Sequence, residues 1–270
     1  MPNKIWVYAI SFNESHFVKN FLAAYKDAER IVVYDNFSTD NTRELLSEDP
    51  RVEVRTYDSG GQIRNDLFIK IKNNEWKEAR GKADWVIVVD FDEIFQHVVL
   101  KDKEPVFDLD MSWPYDNGYT IIRPFGYNMS SLDAPIGAEG HPFLYCQHGD
   151  YNDAFEKMCC FRPDQVEEIH YIPGCHSGHP KGNVKILWHR DYKLLHYKSW
   201  NLEHFMERMV SYKSRLSDED KISRAGWQYY APLEQMRNQF INGSKRCKYL
   251  FDIERDNSCG PNNFYKHLFK

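Results

Sequence analysis

Trp85-Val86-Ile87-Val88-Val89 is a continuous apolar run, mostly β-branched, that leads straight into Asp90, Asp92 and Glu93. A run of this length and composition is the mark of a strand covered on both faces in a mainly parallel sheet. Ligand sites in such sheets open beyond the carboxyl ends of their strands. Three carboxylates stand at that end here, an oxygen-only set that suits a hard divalent cation such as Mg²⁺ or Mn²⁺. A cation carrying phosphate oxygens is therefore the first expectation. The bland reading of the same residues is a helix cap or a solvated turn.

The chain before this run alternates. Ile5 to Ile10 predicts a first strand, followed by a polar break at Ser11 to Ser15 and a helix from His16 to Asp27. Arg30 to Tyr34 predicts a second strand, with a turn-rich loop at Asp35 to Thr42 and a short helix to Ser47. Val52 to Tyr57 makes a third, and Ser59-Gly60-Gly61 turns into a long helix from Ile63 to Arg80. This order predicts right-handed βαβ crossovers and a doubly wound sheet. Neither Gly-x-Gly-x-x-Gly nor a P-loop motif occurs, which argues against a dinucleotide site or a P-loop.

Beyond Phe95 the alternation stops. Tyr119 to Pro124, Phe143 to Gln147, Lys157 to Arg162, Glu168 to Ile172 and Lys193 to Tyr197 are short strand candidates, which suggest an antiparallel second half. Leu202 to Leu216 carries Leu202, Phe205, Met206, Met209, Val210 and Tyr212 at helical spacing and predicts a helix packed on the core. Its Arg208 and Arg215 are expected at the surface or in ion pairs, with binding of an acceptor phosphate as the lesser option. Trp227 to Ile241 predicts a further helix. The expected organisation is a catalytic domain over residues 1–200, divided at about 95 into a nucleotide-sugar half and an acceptor-side half, with a helical extension over residues 201–270.

Length and composition bound the rest. A chain of 270 residues can bury one sizeable core plus an appendage. A net charge of -5 argues against nucleic acid as the main partner. No export signal and no apolar run of the ~18 residues needed to span a bilayer occur, so a cytoplasmic protein is expected, touching membranes at most peripherally through the basic face of the Leu202 helix. Cys146, Cys159, Cys160, Cys175, Cys247 and Cys259 then read as reduced thiols. His170, Cys175, His176 and His179 are spaced too irregularly for a structural zinc site.

Several separate stretches share one pattern. Asn13-Glu14 after the first strand, Tyr34 to Asp40 after the second, Gly61 with Arg64-Asn65, and Asp90-Phe91-Asp92-Glu93 occur in the order seen in family 2-like glycosyltransferases of the GT-A fold. The chain resembles that family well over residues 4–95. The likeness is looser to about residue 200, where Phe161-Arg162-Pro163, Gly174-Cys175-His176 and Leu194 to Lys198 look like segments of bacterial members. The resemblance implies a Rossmann-like, mainly parallel sheet and transfer of a sugar from a nucleotide-diphosphate donor to a hydroxyl of a glycan or lipid-linked glycan, with inversion at the anomeric carbon. It implies that Ser11, Asn13 and Glu14 flank the donor nucleotide, that Asp35 reads base or ribose, and that Arg64 and Asn65 shape the pocket. Asp90 and Asp92 would form the Asp-x-Asp motif, His196 would complete a Mn²⁺ or Mg²⁺ site, and Lys198 would neutralise the leaving diphosphate.

Chemistry asks for the same parts. Negative charge grows on the leaving diphosphate, and a cation placed there stabilises the transition state. The acceptor hydroxyl needs a base opposite the leaving group. Glu156 is the first candidate, with Asp153 and His176 behind it, because the family's usual Glu-Asp pair is missing from its expected place. Two other classes fit part of the pattern. A haloacid dehalogenase-like phosphohydrolase also uses paired aspartates, but it wants Thr or Val where Ile94 stands; a carbohydrate- or nucleotide-binding module would keep the fold without turnover.

Overall fold

The computed structural model describes residues 3–217 and 227–255. Its first half alternates strand and helix: β1 (Ile5–Ser11), α1 (Val18–Ala24), β2 (Arg30–Asp35), α2 (Thr42–Ser47), β3 (Val52–Thr56), α3 (Asn65–Asn74) and β4 (Trp85–Asp90). Strands β3-β2-β1-β4 lie side by side and all pair in parallel. The chain runs outward from β1 through β2 to β3, then crosses back to place β4 on the other side of β1. That reversal is a topological switch point, and it opens a crevice beyond the carboxyl ends of β1 and β4.

These strands are buried on both faces, as their apolar composition requires. Val7, Ala9, Ile31, Val33, Ile87 and Val89 enter one core cluster, while Tyr8, Ile10, Val32, Tyr34, Val86 and Val88 enter the other. The alternation follows from the two-residue period of a strand. On the register Ile10↔Asp90, the ends of β1 and β4 come level, so Ser11 and Asp90 open on the same crevice.

The second half extends the same sheet. Beyond β4 come β5 (Glu93–Lys101), β6 (Glu104–Asp108), α4 (Ser112–Asp116), β7 (Ile121–Ser130), β8 (His148–Tyr151), β9 (Cys160–Phe161), β10 (Val166–Glu168), β11 (Lys181–Gly182) and β12 (Ile186–Ser199). The sheet continues from β4 through β9, β7, β12, β5 and β6, with antiparallel pairing at every step except β7 with β12. The expected architecture, α/β with a mainly parallel first half and an antiparallel second half, is the one observed.

Local boundaries differ from the sequence reading in ways with physical causes. Residues Glu93 to Lys101 and Glu104 to Asp108 form a hairpin that the mixed polar pattern had concealed. Phe143 to Gln147 is not a strand, since Pro142 to Leu144 forms a 3₁₀ turn behind a proline that fixes φ. The long helix after Gly61 stops at Asn74 and tightens into a 3₁₀ turn over Glu75–Ala79. Strand β12 runs for 14 residues, well beyond the expected Lys193 to Tyr197, because its pairing with β7 continues past an irregularity between Trp188 and Lys193.

After β12 come α5 (Leu202–Arg215), a 3₁₀ turn (Trp227–Tyr230), α6 (Leu233–Arg246), β13 (Lys248–Tyr249) and α7 (Leu250–Arg255). Asn201 caps α5, its side-chain oxygen accepting from the Glu203 and His204 N–H groups. Pro232 separates the turn from α6, dividing the helix expected over Trp227 to Ile241. Strand β13 then returns to pair with β8. No helix among the described residues is long and apolar enough to cross a membrane.

Candidate active site

A cavity of about 490 Å³ fills the crevice at the switch point. Its walls come from the β1 loop (Ser11, Phe12, Glu14), α3 (Asn65, Lys72), the β4–β5 turn (Asp90 to Glu93), the Phe155–Lys157 and Pro173–His176 loops, β12 (His196, Lys198) and α5 (Arg208, Tyr212, Arg215). Segments far apart in sequence thus meet around the end of β4.

The three carboxylates after β4 each meet a cation. Lys72 Nζ donates to Asp90 Oδ1 at 2.6 Å, Arg208 Nη2 donates to Asp92 Oδ2 at 3.0 Å, and Lys157 pairs with Glu93. Lys157 also lies 3.6 Å from Asp90 Oδ2. Burial works to raise the pKa of Asp90, but Lys72 and then Lys157 outweigh it and hold the group below the usual value. Burial acts on Asp92 likewise, and His196 and Arg208 hold it well below the usual range. Both carboxylates are therefore ionised at neutral pH. Arg208 is itself buried, and Glu14 Oε1 lies 3.4 Å from the same Nη2. Taking one partner out of such a buried cluster strands the others, at a cost of about 3–5 kcal/mol.

His196 Nδ1 lies 2.9 Å from Asn128 Oδ1 and donates its proton there, and Nε2 stands 3.6 Å from Asp92 Oδ2. Phe155 stacks on the imidazole at 4.1 Å and fixes its plane. An imidazole held this way by a second partner, facing a carboxylate, has the donor chemistry of a metal ligand. Mg²⁺ and similar ions are commonly held by one or two protein groups, with substrate phosphates and water filling the remaining positions. Asp92 and His196 fit that pattern. The expected three-residue set is not assembled: Asp90 is turned onto Lys72 and Lys157, and among the described residues no group of three His, Cys, Asp or Glu side chains is arranged around an ion.

The other expected site residues divide in two. Ser11, Glu14, Asn65, Asp90, His176 and Lys198 line the cavity. Asn13 does not: its Oδ1 accepts from the Thr39 N–H at 2.7 Å, and its left-handed backbone (φ 54°) turns the chain away. Asp35 is fully buried and spent on the loop that follows it, accepting from Ser11 Oγ and from the N–H and hydroxyl of Ser38. Its neighbour Asn36 takes the lining position, braced by two hydrogen bonds with Ser59. Arg64 is outside the lining and forks onto Asp66 with contacts of 2.8 and 2.6 Å.

The first choice of base is corrected by geometry. Phe155 and Lys157 face the cavity, so Glu156 between them faces the other way. There it accepts from Tyr151 Oη and pairs with Arg123 at 2.9 Å. Asp153 lies outside the lining as well. His176 stays in the cavity, where its Nδ1 donates to Ala154 O at 2.8 Å. A carbonyl only accepts, so the Nε2 of neutral His176 carries the lone pair. Burial, then the Lys157 charge, lowers its pKa below the ordinary histidine value and keeps it neutral.

Sequence reasoning passed over Lys72, Lys157 and Tyr212 as site residues, and gave Arg208 and Arg215 surface, ion-pair or acceptor-phosphate roles. The one signal for Arg208, Tyr212 and Arg215 was their spacing, i, i+4 and i+7, which puts them on one face of α5. Tyr212 was counted in the apolar stripe, and the arginines were assigned to the opposite side.

No protein-family model matches the chain, and no curated protein matches it in sequence. Among solved structures, glucosyl-3-phosphoglycerate synthase from Mycobacterium tuberculosis, in complex with phosphoglyceric acid, is 15% identical, with a TM-score of 0.28. The match covers 46% of this chain and 44% of that one. A mycobacterial protein is 14% identical over 47% of this chain and 41% of its own, at a TM-score of 0.28. HddC from Yersinia pseudotuberculosis is 11% identical over 72% of this chain and 93% of its own, at 0.37. The matches thus span less than half of the first two chains. Scores of this size leave the reading of the site to its own geometry.

Proposed function

We propose that this chain transfers a sugar from a nucleotide-diphosphate donor to an acceptor hydroxyl, using the crevice at the end of β1 and β4. The observation that carries the proposal is the assembly of Asp92, His196, Lys198 and His176 around one cavity of about 490 Å³ at the switch point of a GT-A-like sheet. That volume lies within the range of small-molecule and cofactor sites. Asn36, Tyr57 and Phe12 supply a partly aromatic wall for the nucleoside.

Asp92 and His196 would hold a divalent cation, which supplies positive charge to the leaving diphosphate. Arg208 keeps Asp92 ionised and oriented toward His196. Lys198, whose Nζ donates to Tyr229 Oη at 3.0 Å, places an ammonium charge in the same cavity. His176 takes the acceptor proton at Nε2, because its other nitrogen is committed to Ala154 O. The pairing of a neutral base with charge-stabilising groups supports a single displacement.

Thermal shift of the full chain against nucleoside diphosphates, with and without Mn²⁺, followed by assay of nucleoside diphosphate release from the matching sugar donor, tests the proposal. Specific binding and acceptor-dependent release support it; binding without turnover of any donor would leave a binding module instead. In the active protein, His176→Ala is expected to slow transfer about 10²–10⁴-fold with little change in donor affinity. Because base action needs neutral imidazole, wild-type rate should rise with pH through a midpoint below the ordinary histidine value of 6.5 and level off by neutrality.

A further inference from the structure

Among the described residues, five cationic side chains line the cavity, Lys72, Lys157, Lys198, Arg208 and Arg215, against four carboxylates, Glu14, Asp90, Asp92 and Glu93. Three of the cations are consumed: Lys72 by Asp90, Lys157 by Glu93, and Arg208 by Asp92 and Glu14. Lys198 and Arg215 have no carboxylate within ion-pair distance among the described residues. The Lys198 ammonium instead sits 5.4 Å from the centre of the Tyr212 ring and 5.0 Å from that of Tyr229.

Arg215 ends α5, where a cation is ordinarily explained by the helix dipole and points to solvent. Lys213 in the same turn is exposed in that way. Arg215 is not. Its guanidinium carbon lies over Phe12, 3.4 Å from the ring centre, and Nε donates to Gly61 O at 3.1 Å. A backbone hydrogen bond of 2.7 Å from Ile63 N–H to Arg215 O and the Ile63↔Leu216 bridge tie the end of α5 to the loop before α3. The side chain is thus held at the mouth of β1, and among the described residues neither Nη group has a hydrogen-bond partner. An arginine fixed at one nitrogen and stacked on a ring keeps its fork free for a phosphate oxygen.

We propose that Arg215 of α5 binds the leaving diphosphate in the cavity it shares with Lys198, the residue to which the resemblance already gives that role, and that it grips the diphosphate without requiring the divalent cation. The inference rests on the donor-site reading above and adds to it a binding residue from the C-terminal region. Two positive charges with no carboxylate within ion-pair distance among the described residues match the two negative charges of a nucleotide-sugar diphosphate.

The test is calorimetric titration of the full chain with inorganic pyrophosphate and with UDP, both in excess chelator. Wild type should bind both, with affinity falling as salt rises. Arg215→Met and Lys198→Met should each weaken binding about tenfold to a hundredfold, the range for one charge-assisted hydrogen bond. Arg215→Lys, which keeps the charge and loses the fork, should fall between Met and wild type, and Lys213→Ala should leave binding unchanged. Melting curves of each variant separate a lost contact from a lost fold. Binding that appears only with Mn²⁺, or that survives Arg215→Met at full strength in a folded protein, overturns the subsite. Glucose 6-phosphate binding that Arg215→Met abolishes and UDP does not displace would assign these cations to the acceptor and equally overturn it. Because no sugar needs to move, the titration is independent of whether transfer is observed.

Discussion

Glu14 shows how much one buried side chain can carry. Its pKa is raised to about 8 from 4.5, first by burial and against the pull of Arg208, and Oε2 has no hydrogen-bond partner. Between those two values the folded chain retains a proton that the unfolded chain has released. Its contribution to stability is therefore complete below pH 4.5 and is lost as pH rises toward about 8. Glu14→Gln keeps the shape and removes the titration. Melting temperatures across that window should fall with pH in wild type more steeply than in the variant, and parallel curves would show that Glu14 stays charged. Nearby, His16 and His204 stack with ring centres 3.6 Å apart, and burial lowers both pKa values, so this end of α5 is seated on neutral imidazoles.

At the level of elements, the loop over Pro173–His176 and helix α5 both supply walls of the cavity. Gly174 adopts φ +83°, and a Cβ there would stand 2.9 Å from His176 Cδ2. Gly174→Ala therefore combines backbone strain with a push on the imidazole. The expected result is a lower kcat with donor KM nearly unchanged, read from initial rates at saturating acceptor; a change confined to donor KM would remove His176 from the proton-transfer step. Helix α5 was expected to pack on the core as part of an extension, with its arginines at the surface or in ion pairs, and Arg208 is indeed ion-paired. Its Arg208, Tyr212 and Arg215 face also forms a wall of the cavity. Amphipathic periodicity misassigned that face because a site wall is polar and enclosed at once, a combination that hydrophobic spacing reads as solvent.

For the molecule as a whole, the C-terminal segment closes back on the first core. Leu250 is fully buried, its N–H donates to Gln147 O at 3.0 Å, and with Phe251 it joins the main hydrophobic cluster. Leu250→Ala should cost about 2–5 kcal/mol in urea unfolding, as truncations of buried leucines do. Leu100→Ala, at a residue 47% exposed, should stay within about 0.5 kcal/mol. Equal effects would mean that the segment is not part of the cooperative unit.

The alternation of β-branched runs with helical stretches made the parallel half of the sheet legible from the chain alone, because burial on two faces forces a composition that needs no partner to be recognised. The same holds for the position of Asp90, Asp92 and Glu93 at the end of a strand. Their roles were not legible in that way. Lys72, Lys157 and Arg208 reach them from 18, 64 and 116 residues away, and a carboxylate looks the same in sequence whether it awaits an ion or already holds an ammonium group. Nor does local pattern say which way Glu156 faces when Phe155 and Lys157 point into the cavity. Periodicity records how each segment meets apolar surface. Which charges become neighbours depends on how the sheet brings its strand ends and its last helices together.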